Sequence, residues 1–401
     1  MRLPGRTVHR ATAPPNYQGP AFLSYGFRPF FLSAALFAGI AIPAWAMILN
    51  GAEEAAFHLA PRDWHVHEML FGFLPAVVTG FLLTAMPNWT DRSPLRGTPL
   101  LALLILWVTG RLAMALPWPA AYPPAAVVDA AFLVVLAALV GREIIAGKVW
   151  ERAPIGIVIS LYAAANILFH LLVLRNAETD LPERMAVALM ILLLTLIGGR
   201  ITPSFTSDYL TERGLSSPLP PFARYDGLTI ILTVVSALSW VMHPQAMTTG
   251  WCLMAAGLAN IVRLWRWRGW MTWREPLVLI LHVGYGWLSL ALLVLGGATL
   301  GFGLKPADAV HALTTGAVGA MTMAVMTRAS LGHTGRPKQA DRLTVMIYIL
   351  VNLGALLRVF GVIIDLPTHL VLSAAAATWS GAYLLFASVY GPALIRPSLN
   401  E

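Results

Sequence analysis

The sequence predicts an all-α protein that crosses a membrane many times. Hydrophobic residues make up 58% of its 401 residues and charged residues 11%, whereas soluble domains typically carry roughly 25% charged residues. Apolar runs long enough to cross a hydrocarbon core about 30 Å thick recur along the chain, and short loops rich in arginine separate them. Because so few polar residues could not cover a water-soluble domain, we expect a polytopic membrane protein.

Twelve such runs can be placed along the chain. Their approximate bounds are 27–50, 65–87, 98–116, 123–141, 153–174, 183–201, 225–242, 245–264, 275–298, 308–327, 343–364 and 367–390. They predict a single twelve-helix transmembrane domain at 27–392, with an N-terminal tail at 1–26 and a C-terminal tail at 393–401. The polar loop after the sixth run suggests six-helix halves at 27–201 and 225–392, although no sequence repeat relates them.

The basic residues predict how the chain is oriented. Only four of the 27 Lys and Arg residues, Arg62, Arg175, Arg184 and Lys305, fall in loops on the side opposite the N-terminus. Since cytoplasmic loops carry an excess of Lys and Arg, both termini are predicted to be cytoplasmic. The first twenty residues contain no apolar core before a cleavage site, so the first span is expected to insert uncleaved. The net charge of +8 therefore reflects membrane topology, and we expect a lipid bilayer as partner and no nucleic acid.

Ionisable residues inside the predicted spans point to a functional site, because each costs about 2.5 to 3.5 kcal/mol on insertion scales. On this topology most of them share the outer half of the membrane. They are His65, His67, Glu68, Arg111, Asp129, His170, His311, Arg358 and His369. His282 and Tyr285 lie nearer the cytoplasm. Several imidazoles at one depth are what a metal or haem site in a helical bundle requires, and imidazole suits iron, copper, zinc and nickel.

The His65-Val66-His67 motif restricts how these groups can be used. Residues two apart on a helix point about 200° from each other, so His65 and His67 are expected to serve two centres, unless His65 lies in the loop and bends round. Glu68 follows His65 by three residues, which puts both on one helix face. From there Glu68 could accept a hydrogen bond from the second ring nitrogen of a metal-bound His65.

The arginines and the cysteine content narrow the cofactor. Arg111 and Arg358 suit haem propionates, since guanidinium pairs bidentately with carboxylate. Arg111 and Asp129 could instead form an ion pair between adjacent spans. A single cysteine, Cys252, excludes an intramolecular disulfide, a cysteine-ligated iron–sulfur cluster and covalently attached haem.

Some histidines have a simpler explanation than metal binding. His170, His243 and His369 lie near span ends, where an imidazole can simply reach the lipid headgroups. His9, His58 and His333 fall in predicted tails and loops, where solvent exposure is expected.

Longer motifs occur in order along nearly the whole chain. They are GFRPFFL, WHVHEMLFGF, TAMPNWT, GGRITPSFT, REPLVLILHVGYGWL and HALTTGAVGAMTMAVMTRASLGHTGRP. Together they resemble the NnrS family, bacterial inner-membrane proteins linked to the nitric-oxide response. The resemblance implies a multi-pass protein of the bacterial inner membrane that binds haem b and copper, is associated with denitrification genes and protects against nitrosative stress. The motif histidines are His65, His67, His282, His311 and His333, and His170 also fits the pattern.

These observations give a first hypothesis and two alternatives. In the first, His67 and His311, with His65 as a third candidate, are axial ligands of haem b, and Arg111 and Arg358 pair with its propionates. His65, His170 and His282 are then candidate ligands for copper or a second haem, supported by Glu68, Asp129 and Tyr285.

Such a protein would bind or consume nitric oxide. Whether it is an enzyme stays open, and no catalytic residue is assigned. Reduction would require electrons from quinol or a periplasmic donor, and protons, for which His282 and Tyr285 are candidate relay groups. The alternatives are a transporter for a metal, haem or a nitrogen oxyanion, and a nitric-oxide sensor. The adjacent histidine pair expected of haem–copper oxidases is missing from the sequence, so a terminal oxidase is not proposed.

Overall fold

A computed structural model describes residues 17–51, 59–215, 219–361 and 367–399. Helices occupy the positions of the predicted spans, and we number them in chain order. They are α1 (Phe27–Leu49), α2 (Pro61–Thr90), α3 (Thr98–Met114), α4 (Tyr122–Gly147), α5 (Ala153–Leu174), α6 (Asp180–Glu212), α7 (Arg224–Met242), α8 (Met247–Arg266), α9 (Pro276–Thr299), α10 (Pro306–His333), α11 (Arg342–Gly361) and α12 (Thr368–Ile395).

Among these helices, ten are long and apolar enough to cross a membrane. The two others are α3, which has 17 residues, and α8, which carries Arg263 and Arg266 in its last turn. The all-helical, multi-pass membrane class is therefore confirmed for the described residues. The count of twelve crossings and the cytoplasmic position of both termini stay predictions.

Sequential packing organises the bundle. Each helix contacts the next along most of the chain, and α12 returns to pack against α1. The apolar stretches of α2, α9 and α10 are the most buried, with 78%, 72% and 72% of their residues inside the protein. These three helices therefore form the interior, and α2 carries the His65-Val66-His67 motif there.

The sixth helix is longer than the sequence predicted. The expected span ended at 201 and was followed by a loop, but α6 continues to Glu212. Pro203 lies inside this extension, while the buried side chains of Thr202, Thr206 and Leu210 fix it against the bundle. The loop prediction for 202–212 was wrong because packing outweighs the helix-breaking tendency of a single proline.

Wide, π-helical turns interrupt four of the helices within the described residues. They are Glu68–Phe73 in α2, Leu194–Gly198 in α6, Ala312–Val318 in α10 and Leu357–Gly361 in α11. Two of them begin directly after His67 and His311, and a third contains Arg358. Such turns are rare in helices and are frequent at functional sites.

The arginine of the GFRPFFL motif joins the two ends of the bundle. Arg28 is 1% exposed, and its Nη1 donates to the carbonyls of Ala393, Leu394 and Arg396 at 3.3, 3.2 and 2.6 Å. The last carbonyls of a helix lack partners within the helix. Arg28 therefore caps the C-terminus of α12 from the start of α1.

His333 was expected to be exposed in a loop, but the structure differs. It is the last residue of α10, and its ring packs against those of Tyr25 and Phe27, with centroids 6.1 and 5.5 Å away. The loop assignment was wrong because the helix continues past the apolar run that defined the predicted span.

The N-terminus of α11 supports a first prediction. Asp341 Oδ1 accepts hydrogen bonds from the backbone N–H of Thr344 at 2.8 Å and from its hydroxyl at 2.7 Å, and these bonds lower the pKa of the Asp341 carboxyl. Asp341→Ala should cost about 0.5 to 2 kcal/mol of stability. Because the folded-state pKa is depressed, this contribution is present at neutral pH and is lost as pH falls through that pKa.

The measurement is thermal unfolding of the detergent-purified variants between pH 7 and acid pH. Asp341→Asn keeps a capping oxygen and should retain most of the stability while removing the pH dependence. Equal melting temperatures for wild type and Asp341→Ala at neutral pH would show that the cap does not stabilise the helix.

Candidate metal site

Four helices bring ionisable side chains together around His67. His67 ends the first α-helical turns of α2, Arg111 lies in the last turn of α3, Asp129 lies on α4 and His170 on α5. Their exposed fractions are 0% for His67, 7% for Arg111, 2% for Asp129 and 3% for His170. We call these residues, together with Glu68, Asn166 and Tyr122, the His67 cluster.

Three members of this cluster have the spacing of metal ligands. One ligand atom each from His67, Asp129 and His170 lies within 4.8 Å of the other two. Asp129 Oδ2 is 3.3 Å from His67 Nε2 and 2.9 Å from His170 Nε2. The sequence predicted a histidine site from several spans, and here two imidazoles and a carboxylate from three helices meet.

A second layer of side chains holds these groups. His67 Nδ1 lies 2.9 Å from Glu68 Oε1, and the hydroxyl of Tyr122 lies 2.9 Å from His170 Nδ1. Asn166 Nδ2 donates to Asp129 Oδ2 at 2.8 Å. Metal-bound histidines characteristically have such a partner at the second ring nitrogen, because it fixes the tautomer and the ring orientation.

Arg111 connects the two carboxylates of the cluster. Its Nη1 donates to Glu68 Oε1 at 2.6 Å, and its Nη2 forms an ion pair with Asp129 Oδ1. One guanidinium against two carboxylates leaves a formal charge of −1 when both histidines are neutral. Since a buried net charge is costly, the cluster favours an additional positive charge, which a metal ion or a proton can supply.

His65 lies in a different group of side chains. Its ring stacks on Trp45 with centroids 4.7 Å apart and planes 7° from parallel, and it lies close enough to His311 and Arg358 for an electrostatic interaction. His311 Nδ1 lies 2.6 Å from the carbonyl of Ala307 and 3.1 Å from Arg358 Nη2. We call His65, His311, Arg358, Asp308 and Trp45 the His65 cluster.

The sequence paired several of these residues differently. His67 was expected to share a haem with His311, but the two lie in separate clusters. Glu68 was expected to accept from His65, yet it contacts His67 instead. That expectation was wrong because the Glu68 carboxylate bonds to its neighbour His67 and to Arg111, which reaches it from α3.

Both arginines proposed for haem propionates already pair with protein carboxylates. Arg358 Nη1 donates to Asp308 Oδ1 at 2.7 Å, while Arg111 pairs with Asp129, which is the ion pair that the sequence allowed as an alternative. Of these two arginines, Arg358 is the one that lies beside the histidines of the His65 cluster.

His282 and Tyr285 lie apart from both clusters. His282 Nε2 bonds to the hydroxyl of Thr206 at 2.8 Å. The hydroxyl of Tyr285 accepts from Arg263 Nη1 at 2.8 Å and donates to Asn260 at 2.7 Å. The arginine in turn pairs with Asp226.

The remaining histidines have simpler surroundings. His243 and His369 are exposed, which agrees with an interfacial position. His9 and His58 lie outside the described residues.

Sequence reasoning missed Asn166, Tyr122, Trp45 and Asp308. A signal for Asn166 was available, because it precedes His170 by four residues in an apolar span and therefore shares its helix face. Tyr122 and Trp45 gave no such signal, since aromatic residues near span ends are common in any membrane protein.

Gly72 provides a direct test of the packing around the cluster. A Cβ at this position would contact Arg111 Nη1 and lie 3.2 Å from Glu68 Oε2. Because Arg111 is held between two carboxylates and cannot move away without losing one, Gly72→Ala should cost about 1 to 3 kcal/mol, as overpacking typically does.

Gly141→Ala is the matched control. This helical glycine has open space around its Cβ position, so alanine should be neutral or stabilise by up to about 1 kcal/mol. Thermal unfolding in detergent measures both variants. Equal melting temperatures for Gly72→Ala and Gly141→Ala would mean that the Arg111 side chain can move aside without loss of stability.

The fold and the His67 cluster define the class of protein: a multi-pass helical membrane protein with a buried histidine–carboxylate cluster that could hold a metal ion. The chain belongs to the NnrS family, because the family model described as "NnrS protein" matches residues 21–398. None of the curated proteins compared with the chain matches it.

Proposed function

We propose that this protein binds haem and a second metal ion, copper by the family resemblance, in the bacterial inner membrane. There it binds or consumes nitric oxide and protects the cell against nitrosative stress. The observation that carries the proposal is the buried His67 cluster. Ionisable groups at membrane depth are costly and mark functional sites, and imidazole is a ligand for iron and copper.

The two clusters differ in their fit to haem. The ring nitrogens of His67 and His170 face hydrogen-bonding side chains within the protein, and the rings of Phe71 and Phe169 pack against His67. This arrangement suits a single ion better than a macrocycle, because the ring nitrogens of both histidines already face side chains of the protein.

The His65 cluster fits haem better. His65 Nδ1 is buried and has no hydrogen-bond partner among the described residues. When His311 carries its proton on Nδ1 and donates it to the Ala307 carbonyl, the contact of Nδ1 with Arg358 Nη2 is not a hydrogen bond, and the other nitrogen of His311 is left for a ligand. His65 and His311 would therefore hold the haem, and Arg358, which bonds to Asp308 in the structure, would have to exchange that carboxylate for a propionate. When bound, the haem would supply an iron that takes nitric oxide in place of one of the two histidines, because an iron held by both has no open position. Nitric oxide is a neutral gas that reaches the site through lipid.

Reductive consumption of nitric oxide would also require electrons, from quinol or a periplasmic donor. A transporter for an oxyanion is less well supported, since both Arg111 and Arg358 pair with carboxylates.

Absorption spectra and metal analysis of the purified protein test the proposal. We expect the reduced protein to give a b-type spectrum that shifts with nitric oxide. His65→Ala and His311→Ala should lose it, and His67→Ala should lose the second metal ion. His243→Ala, at an exposed position, is the control. A protein with neither iron nor copper after expression with ample haem would contradict the proposal.

A further inference from the structure

We infer that the end of the bundle where the chain begins carries a binding site for the phosphate group of an anionic phospholipid, built from Arg152, Arg200 and Trp89. This site is separate from the His67 and His65 clusters, and neither haem nor metal takes part in it. Three features support it: two arginines that repel each other, an aromatic ring that lies against one of them, and exposed apolar side chains on the neighbouring helices.

The three side chains come from different helices and meet at one place. Trp89 lies in the last turn of α2, Arg152 immediately precedes α5 and Arg200 lies in α6. The Arg152 guanidinium lies over the Trp89 ring, 4.7 Å from its centroid. Arg200 is close enough to Arg152 for the two charges to repel each other. The site therefore lies where α2, α5 and α6 meet.

A backbone contact shows which end of the bundle this is. Gly97, in the loop that follows α2, donates its N–H to the carbonyl of Leu23, just before α1, at 2.9 Å. The last turn of α2 therefore lies at the end where the first membrane helix begins. At such an end, the side chains of a membrane protein lie at the level of the lipid headgroups.

Arg152 lacks a strong negative partner. Its side chain is 13% exposed, and its Nε is buried without a hydrogen-bond partner in the described part of the chain. The carboxylate that pairs with it, that of Glu151, lies 4.0 Å from Nε and belongs to a side chain that is 66% exposed. Ion pairs with exposed side chains are weak, and a buried donor without an acceptor costs free energy. A phosphate oxygen can provide the missing acceptor.

The local charge also favours an anion. Arg152 and Arg200 bring two positive charges together, and Glu151 supplies one negative charge. Arg152 is in addition the N-cap residue of α5, and the N-terminus of a helix carries a partial positive charge. A bound phosphate would lie between the two arginines and relieve their repulsion, which is larger at a partly buried position than in water.

The surroundings favour a lipid over a dissolved anion. Ile145, Trp150 and Ile157, on α4, on the turn before α5 and on α5, are 63%, 61% and 60% exposed. In a membrane, apolar side chains with this exposure contact lipid. Basic pockets between membrane helices bind the headgroups of anionic lipids such as cardiolipin. A phospholipid can therefore place its phosphate at the arginines and its acyl chains along the helices, whereas a dissolved phosphate can make only the first contact.

Native mass spectrometry of the full-length protein tests the site. The detergent-purified protein is mixed with equimolar phosphatidylglycerol and phosphatidylcholine, and the bound lipids are counted. We expect wild type to retain phosphatidylglycerol preferentially. Arg152→Gln and Arg200→Gln should each weaken its binding about fivefold, which is the usual contribution of one basic residue near an anionic membrane surface. The double variant should weaken it about 25-fold.

Two further variants test the geometry. Trp89→Leu keeps an apolar side chain but removes the ring that lies against the guanidinium, and it should weaken phosphatidylglycerol binding about two- to fivefold. Arg175→Gln is the matched control, because it removes an exposed arginine at the other end of α5. This control should keep the lipid preference of wild type.

Thermal unfolding in lipid nanodiscs distinguishes lipid binding from a structural role. In phosphatidylcholine, Arg152→Gln should melt close to wild type, because the charge that it removes is repelled by Arg200. Phosphatidylglycerol should raise the melting temperature of wild type and have less effect on Arg152→Gln. A melting temperature that falls by the same amount in both lipids would mean that Arg152 only contributes to packing, and would overturn the lipid site.

Two other results would also overturn it. An equal rise in melting temperature with inorganic phosphate, added to phosphatidylcholine nanodiscs, would assign the arginines to a dissolved anion. Retention of the two lipids in equal amounts by wild type, or the same preference in wild type and the double variant, would show that the arginines do not select an anionic lipid.

Discussion

Replacing Arg111 with alanine is expected to destabilise the protein by about 3 to 5 kcal/mol, the usual cost of removing one partner of a buried ion pair. Arg111 is the only cation bonded to Glu68 and Asp129 among the described residues, and those side chains are 1% and 2% exposed. Without it, two carboxylates would share a buried region with neutral histidines. We expect little protein in the membrane and a much lower melting temperature for what accumulates.

Two further variants separate charge from shape. Arg175→Ala removes an exposed arginine and should be close to wild type. Adding Glu68→Gln to Arg111→Ala removes one of the uncompensated charges and should restore part of the lost stability, which a double-mutant cycle measures. If Arg111→Ala and Arg175→Ala had the same melting temperature, the ion pairs of Arg111 would not contribute to stability.

Arg28→Ala should give the second-largest loss of stability, about 3 kcal/mol. Each buried acceptor left without a partner costs about 1 to 3 kcal/mol, and Arg28 serves the buried carbonyls of Ala393 and Leu394 besides the part-buried carbonyl of Arg396. Arg28→Lys should recover only part of this loss, because an ammonium lacks the planar fork that reaches several acceptors. Thermal unfolding and limited proteolysis of the C-terminal tail measure the effect.

Arg396→Ala is the matched control, since it removes an exposed side chain and keeps the backbone carbonyl that Arg28 uses. We expect it to melt near wild type. If the C-terminal tail resisted protease equally well in Arg28→Ala and in Arg396→Ala, the link between α1 and α12 would not be needed to hold the tail.

The helices were predictable because a membrane span is encoded by local apolar composition. The end of α6 was not, since Thr202, Thr206 and Leu210 gain their helical environment from α9 and its neighbours, which are distant in sequence. In the same way, the GFRPFFL motif does not indicate that Arg28 reaches the last turn of α12.

The depth of the site residues in the membrane was predictable from the sequence, but the rotation of each helix about its own axis was not. Counting along the spans grouped His67, Asp129, His170 and His311 at one level. Depth alone does not show which face of each helix turns inward. The sequence therefore predicted that His67 lies beside His311, whereas in the structure His67 lies beside His170. The irregular turn at Glu68 adds to this difficulty, because a regular helical wheel gives the wrong direction for every residue beyond it.

The π-helical turns also make the clusters sensitive to chain length. In a regular α-helix each residue advances the side-chain direction by about 100°, and a π-helical turn accommodates one residue more than the regular turn it replaces. Removing one residue from Glu68–Phe73 would let α2 return to the regular pattern, and His67 would then rotate away from Asp129 although every ligand remained in the sequence. Relatives that differ by a single residue in this segment would therefore differ in whether they hold a metal at all, even with all of its histidines present.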